Sequence, residues 1–98
     1  MVEYIHNMIK ASSGSTAAIN AIITEEDGTI ISKDCKFILH SKDGEKMLEE
    51  IAGTYNEETN EWTFIVSATI TKNLKGRYWY CIKYIDSNLC FKQPIYFV

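Results

Sequence analysis

His6, His40, Cys35, Cys81 and Cys90 are the imidazole and thiol side chains of this sequence, the groups that could ligate a soft metal or form a nucleophilic pair. Neither histidine has a cysteine or carboxylate at a spacing that announces a metal site. A thiol activated by an imidazole could be assembled from His40 with Cys35 or Cys81, since the fold and not the chain order decides proximity. Cys35 and His40 are an odd number of positions apart, so one regular strand points them to opposite faces. The cysteines are three in number, show no C-x-x-C spacing and lie in strand-like runs. They read as small buried hydrophobes rather than as a disulfide or a metal site.

Other catalytic patterns are missing from the sequence: there is no G-x-S-x-G, no phosphate-cradling glycine loop and no H-E-x-x-H. Glu49 and Glu50 are adjacent and diverge on a strand, whereas a glycosidase needs two acids facing each other across a cleft. The expectation is a protein that is not an enzyme and uses no metal or cofactor. Tyr55, Trp79, Tyr84 and Tyr96 are the candidates for stacking platforms, with Lys72, Lys75, Arg77 and Lys83 as the nearby cations. The same residues also serve to pack a sheet and keep its face soluble. A net charge of −3 with no basic stripe speaks against a nucleic-acid partner.

The elements that position these side chains are strands. In "STAAINAIIT" Ile19, Ala21 and Ile23 share one face, and "EEDGT" supplies an Asp27-Gly28 turn. "KDCKFILHSK" sets Cys35, Phe37 and Leu39 against Lys36, Ile38 and His40, and Asp43-Gly44 closes it. "MLEEIAGTYN" admits a helical start at Met47, Leu48 and Ile51, but Gly53-Thr54-Tyr55 favours a strand edge. Trp62, Phe64 and Val66 alternate with Thr63 and Ile65 as a central strand should. "TITKNLKG" then reads as a crossover between two sheets, with Leu74 plugging the core and Gly76 allowing re-entry into a strand that buries Tyr78, Tyr80 and Ile82. A turn at Asp86-Ser87-Asn88 leads to "LCFKQPIYFV", which Pro94 assigns to an edge or a bulge.

Ninety-eight residues make one domain, 1–98, with residues 1–10 either a strand of it or an arm reaching a neighbour. Six or seven short strands separated by turn signals predict an all-β, antiparallel sandwich. The acidic clusters at Glu25, Glu26 and Asp27 and at Glu57, Glu58 and Glu61 read as solvated turns. "MVEYIHNMIK" does not look like a signal peptide, and no window reaches the ~20 apolar residues of a membrane span. A product made and kept inside the cell, with no membrane partner, is expected.

The segment "GTYNEETNEWTFIVSATITKNLKGRYWYCIKYI" combines an extended strand, T-x-x-L-x-G at Thr71, Leu74 and Gly76, and Y-x-Y at Tyr78 and Tyr80. In this it resembles small immunoglobulin-like structural proteins of tailed phages and prophages, in the style of the N-terminal domain of the phage baseplate upper protein family. The likeness extends over roughly residues 12 to 98. It departs where the family carries an Asp after the Y-x-Y pair and a glycine in the final hairpin, for here Cys81 and Asn88 stand near those places.

The resemblance implies an immunoglobulin-like sandwich of about seven strands, made in the bacterial host cytoplasm and located in the virion. It implies a role in tail, baseplate or capsid-surface assembly through contacts with other phage structural proteins or with further copies of itself. The working surface expected for that role comprises the exposed aromatics Trp79 and Tyr84 and a terminal edge around Phe91, Ile95 and Phe97. The competing expectation is a carbohydrate- or cell-surface-binding sandwich that uses one or two exposed aromatics as sugar platforms.

Overall fold

A computed structural model describes residues 2–5, 8–84 and 90–98. His6 and the expected turn at Asp86-Ser87-Asn88 lie outside these residues. The chain folds into two sheets packed as a compact, sandwich-like all-β domain. The strands are β1 (Val2–Ile5), β2 (Met8–Ala11), β3 (Ala17–Ala21), β4 (Cys35–His40), β5 (Met47–Ala52), β6 (Thr54–Asn56), β7 (Glu61–Val66), β8 (Gly76–Tyr84) and β9 (Gln93–Phe97), with a one-turn helix α1 (Ala68–Thr71) before β8. One sheet has six strands in the order β1-β2-β9-β8-β4-β5, and the other has three in the order β3-β7-β6. All described pairings are antiparallel except β2 with β9, which is parallel and corrects the expectation of a purely antiparallel fold. A constant-type immunoglobulin domain, by comparison, divides seven antiparallel strands four and three.

Period-two alternation decides which side chains meet between the sheets. Cys35, Phe37 and Leu39 of β4 point inward, as do Trp62, Phe64 and Val66 of β7, and all six are buried. Ile9, Ile19, Ile95, Phe97 and Tyr78 complete the layer. Each such aliphatic or aromatic side chain contributes about 1.5–3 kcal/mol by leaving water. Phe37 stacks on Tyr80 and tilts against Phe64, so one aromatic contact runs within the large sheet and another across to the small one. The central place expected for β7 is the one it occupies, between β3 and β6.

The two Asp-Gly turns form where expected, with Gly28 and Gly44 at positive φ. The first is the tip of a short ribbon in which Ile31 pairs back to Ile23 and is buried. Trp62 Nε1 donates to the Ile31 carbonyl at 2.8 Å and anchors that ribbon to β7.

"MLEEIAGTYN" is extended throughout, but as two strands in different sheets: β5 pairs with β4, and β6 pairs with β7. Gly53 is the pivot. Its N–H donates to the Cys35 carbonyl at 3.1 Å, and a Cβ there would lie 2.5 Å from Phe64 and 2.7 Å from Trp62.

The T-x-x-L-x-G stretch carries the chain from β7 in the small sheet to β8 in the large one, Leu74 is buried beneath it and Gly76 has φ +95°. Its helical turn, α1, has no period long enough to be visible in the sequence. Thr71 is fully buried; its hydroxyl donates to the Ser15 carbonyl at 2.7 Å, and its own carbonyl accepts from the Ser13 hydroxyl at 3.0 Å. Thr71→Val keeps the shape and strands the Ser15 carbonyl, so it should cost about 1–2 kcal/mol in urea unfolding with an unchanged m-value.

Pro94 does not mark an edge. β9 lies inside the six-stranded sheet, and its register with β2 covers only Ile95 to Phe97, so the N–H that Pro94 lacks falls outside that ladder. The first ten residues supply β1 and most of β2, and β1 is the outer strand beyond β2. Tyr4 of β1 reaches the small sheet, where its hydroxyl accepts a 2.8 Å hydrogen bond from the Asn20 N–H on β3.

Candidate functional site

The outward face of β4 and β8 carries a second cluster, separate from the core between the sheets. On β4 it contains Ile38 and His40, whose register partners on β8 are Cys81 and Trp79. Ile38 and Cys81 are buried even though they point away from the other sheet. Cys90, in the connection between β8 and β9, is joined to Cys81 by a disulfide. This corrects the reading of both cysteines as plain buried hydrophobes. The sequence signal was their separation of nine positions around a turn-rich stretch, the span of a connection that doubles back.

His40 completes the group. Its Nε2 lies 3.5 Å from Cys90 Sγ and 3.8 Å from Cys81 Sγ. Cys35 and His40 lie on opposite faces of β4, as parity requires: Cys35 points into the core, and of the two cysteines considered as partners of His40 it is Cys81 that lies near it. Burial lowers the basicity of His40, the positive charge of Lys92 lowers it further, and the nearby main chain of Lys46 pulls weakly the other way. That main chain does not complete a hydrogen bond with Nδ1, which is buried without a partner among the described residues. With the disulfide closed the cluster holds no thiol nucleophile. Once opened, it would present two sulfurs and one imidazole nitrogen to a common point.

The structure disperses the five residues expected to form a partner surface. Ile95 and Phe97 are core residues, at 0% and 1% exposure, because β9 is an interior strand whose alternate positions face the small sheet. Tyr84 shares the inward parity of Tyr78, Tyr80 and Ile82 and packs against the core, so it is not an exposed aromatic. Phe91 is open to solvent at 74% exposure. Trp79 is half-buried and already engaged: its indole N–H donates to the Lys42 carbonyl at 3.1 Å, and the Arg77 guanidinium lies over its ring at 5.2 Å. Beside it, Asp43, Gly44, Glu45 and Lys92 line a shallow hollow. Gly44 fits against the indole, where a Cβ would sit 3.5 Å from the ring.

Of the other aromatics considered as platforms, Tyr55 packs on Trp62 and donates its hydroxyl to Asn60, whereas Tyr96 is exposed.

Cys35 is a free thiol in the core. Burial, reinforced by the negative charge of Asp34, pushes its pKa up from 9.0 to about 11. A raised pKa means that the folded state holds the proton more tightly. The associated stability is complete below pH 9 and is lost as the pH rises towards 11. At pH 8 this thiol should resist iodoacetamide in the folded protein and react in urea, as counted by intact mass.

Comparison with family models, with curated proteins and with solved structures finds no match to this chain.

Proposed function

We propose that this chain is a non-enzymatic structural protein of a phage or prophage particle that docks neighbouring subunits through its sheet edges. One observation carries the reading: both outer strands of the six-stranded sheet bear exposed apolar side chains. Met47 and Leu48 stand on β5, Tyr4 and Ile5 on β1, and each is more than 40% exposed. An outer strand has unpaired main-chain donors and acceptors, and a neighbour's strand can extend the sheet while its side chains meet the apolar ones. Many copies on a particle multiply weak single contacts through effective concentration. The test is mass spectrometry across a density gradient of lysate from the induced source strain. The wild-type chain should travel with particles at a stoichiometric level, and a Met47→Lys/Leu48→Lys chain that still folds should leave them. Recovery of the wild type among free proteins alone would remove the reading.

The hollow beside Trp79 favours a second reading, a carbohydrate-binding sandwich, because an indole flanked by Asp43 and Glu45 is a familiar way to hold sugar hydroxyls. Against it stand the Arg77 guanidinium over the ring and the N–H already given to Lys42. Trp62 is buried, so a saturable fluorescence change on glycan titration would report Trp79 and favour this reading over the first.

A further inference from the structure

We propose that Cys81, Cys90 and His40 form a redox-gated site for a tetrahedral divalent cation of the zinc type, closed as the disulfide and opened as two thiolates and an imidazole. The three groups come from β8, from the β8–β9 connection and from β4, and their ligand atoms all lie within 4.8 Å of one another.

The distances match the ion. Zinc sits about 2.3 Å from thiolate sulfur and about 2.0–2.1 Å from imidazole nitrogen, which at tetrahedral angles sets each S–N edge near 3.6 Å. The two S–N edges here are 3.5 and 3.8 Å. Only the S–S edge must change, from a covalent bond to about 3.8 Å. The residue placed to make that movement is Cys90. It is half-buried and outside any strand, whereas Cys81 is buried in the β8 ladder opposite Ile38. Cys90 and His40 are both only partly covered, which leaves the fourth corner to water, as in zinc sites with three protein ligands. Softness selects the ion: two thiolates and an imidazole suit zinc far better than magnesium or calcium.

Opening the site requires a reductant, here a dithiol. It donates two electrons and two protons to the Cys81–Cys90 bond and leaves as its own cyclic disulfide. The cation then displaces both thiol protons to solvent as two S–metal bonds and one N–metal bond form. The disulfide and the cation are thus alternative clasps for the same connection.

The experiment is titration of the full chain with Co²⁺, a spectroscopic stand-in for Zn²⁺, before and after reduction by a dithiol that is then removed under anaerobic conditions. The reduced chain should bind one Co²⁺ with thiolate charge-transfer and tetrahedral ligand-field absorption, lose it to Zn²⁺, and protect two thiols from alkylation. The oxidised chain should show none of these bands. His40→Gln should weaken binding roughly tenfold or more, at least the loss seen for an outer-shell partner. Cys35→Ala should leave the spectrum unchanged. Circular dichroism follows the fold throughout. If the reduced chain unfolds without metal, recovery of native dichroism on adding Zn²⁺ supports the site and failure to recover overturns it. The proposal is also overturned by a folded, reduced chain that binds no Co²⁺, by equal binding in the oxidised chain, or by indifference to His40→Gln.

Discussion

Gly53→Ala should destabilise the domain by about 3 kcal/mol, at the upper end for overpacking a core. The added methyl would sit 2.5 Å from the Phe64 ring and 2.7 Å from the Trp62 ring, closer than side-chain carbons approach. Neither ring has room to move: Phe64 is fully buried in the middle strand of the small sheet, and Trp62 is held by its bond to the Ile31 carbonyl. Backbone strain plays no part, because Gly53 is not among the positive-φ glycines. For a domain of this size the expected fall in Tm is about 12 °C or more. Adding Phe64→Leu to Gly53→Ala should recover part of that loss by removing the ring edge, even though the same change alone is destabilising. A Gly53→Ala variant within about 0.5 kcal/mol of wild type would show that β5 and β6 are not pinned at this point, since well-separated surface changes commonly fall in that range.

Reducing the Cys81–Cys90 bond in the presence of a metal chelator should cost about 2.7 kcal/mol, the chain-entropy value for the ten-residue loop it closes. The loss should appear as a lower urea midpoint. A Cys90→Ser chain should match the reduced wild type, which separates loss of the bond from damage by the reductant. The local effect is larger than the global figure suggests. The bond fixes Cys90 to Cys81, the buried register partner of Ile38, so amide exchange at these two positions should accelerate more than in the small sheet. Unchanged stability on reduction would mean that the clasp is redundant.

The parts of this fold legible in the sequence are those written in alternation and turn chemistry. Trp62-Phe64-Val66 and Cys35-Phe37-Leu39 each declare an inward face, and Asp27-Gly28 and Asp43-Gly44 declare their turns, because the physics involved is local. Strand neighbours are not local. Pro94 argues correctly that one side of its residue cannot join a ladder, but it does not tell that the ladder begins one residue later at Ile95. The same parity that places Tyr78 and Tyr80 in the core places Tyr84 there too. Treating Tyr84 as exposed set aside a rule the sequence already carried. Of the candidate site, the meeting of Cys81 and His40 was within reach of the parity argument. Cys90 was signalled only by its separation of nine positions from Cys81, because it lies outside any strand and alternation does not place it. Gly53 likewise has no turn dipeptide to announce it, and its necessity comes from two rings that are distant in the sequence.

The parallel pairing of β2 with β9 also bears on how the chain comes to be folded. Ile9 lies beside Ile95, and β9 is the strand that joins β1 and β2 to the rest of the large sheet. During synthesis, β3 through β7 can leave the ribosome and begin to pair, but the β9 side of β2 has no neighbour until Ile95 to Phe97 have emerged. Sheets assembled from such distant pairings fold slowly, and their apolar surfaces stay open in the meantime. Tyr4 and Ile5 have partners within reach early, in β2 and at Asn20 of β3, but Ile9 waits for Ile95, and its apolar side chain stays open until β9 arrives.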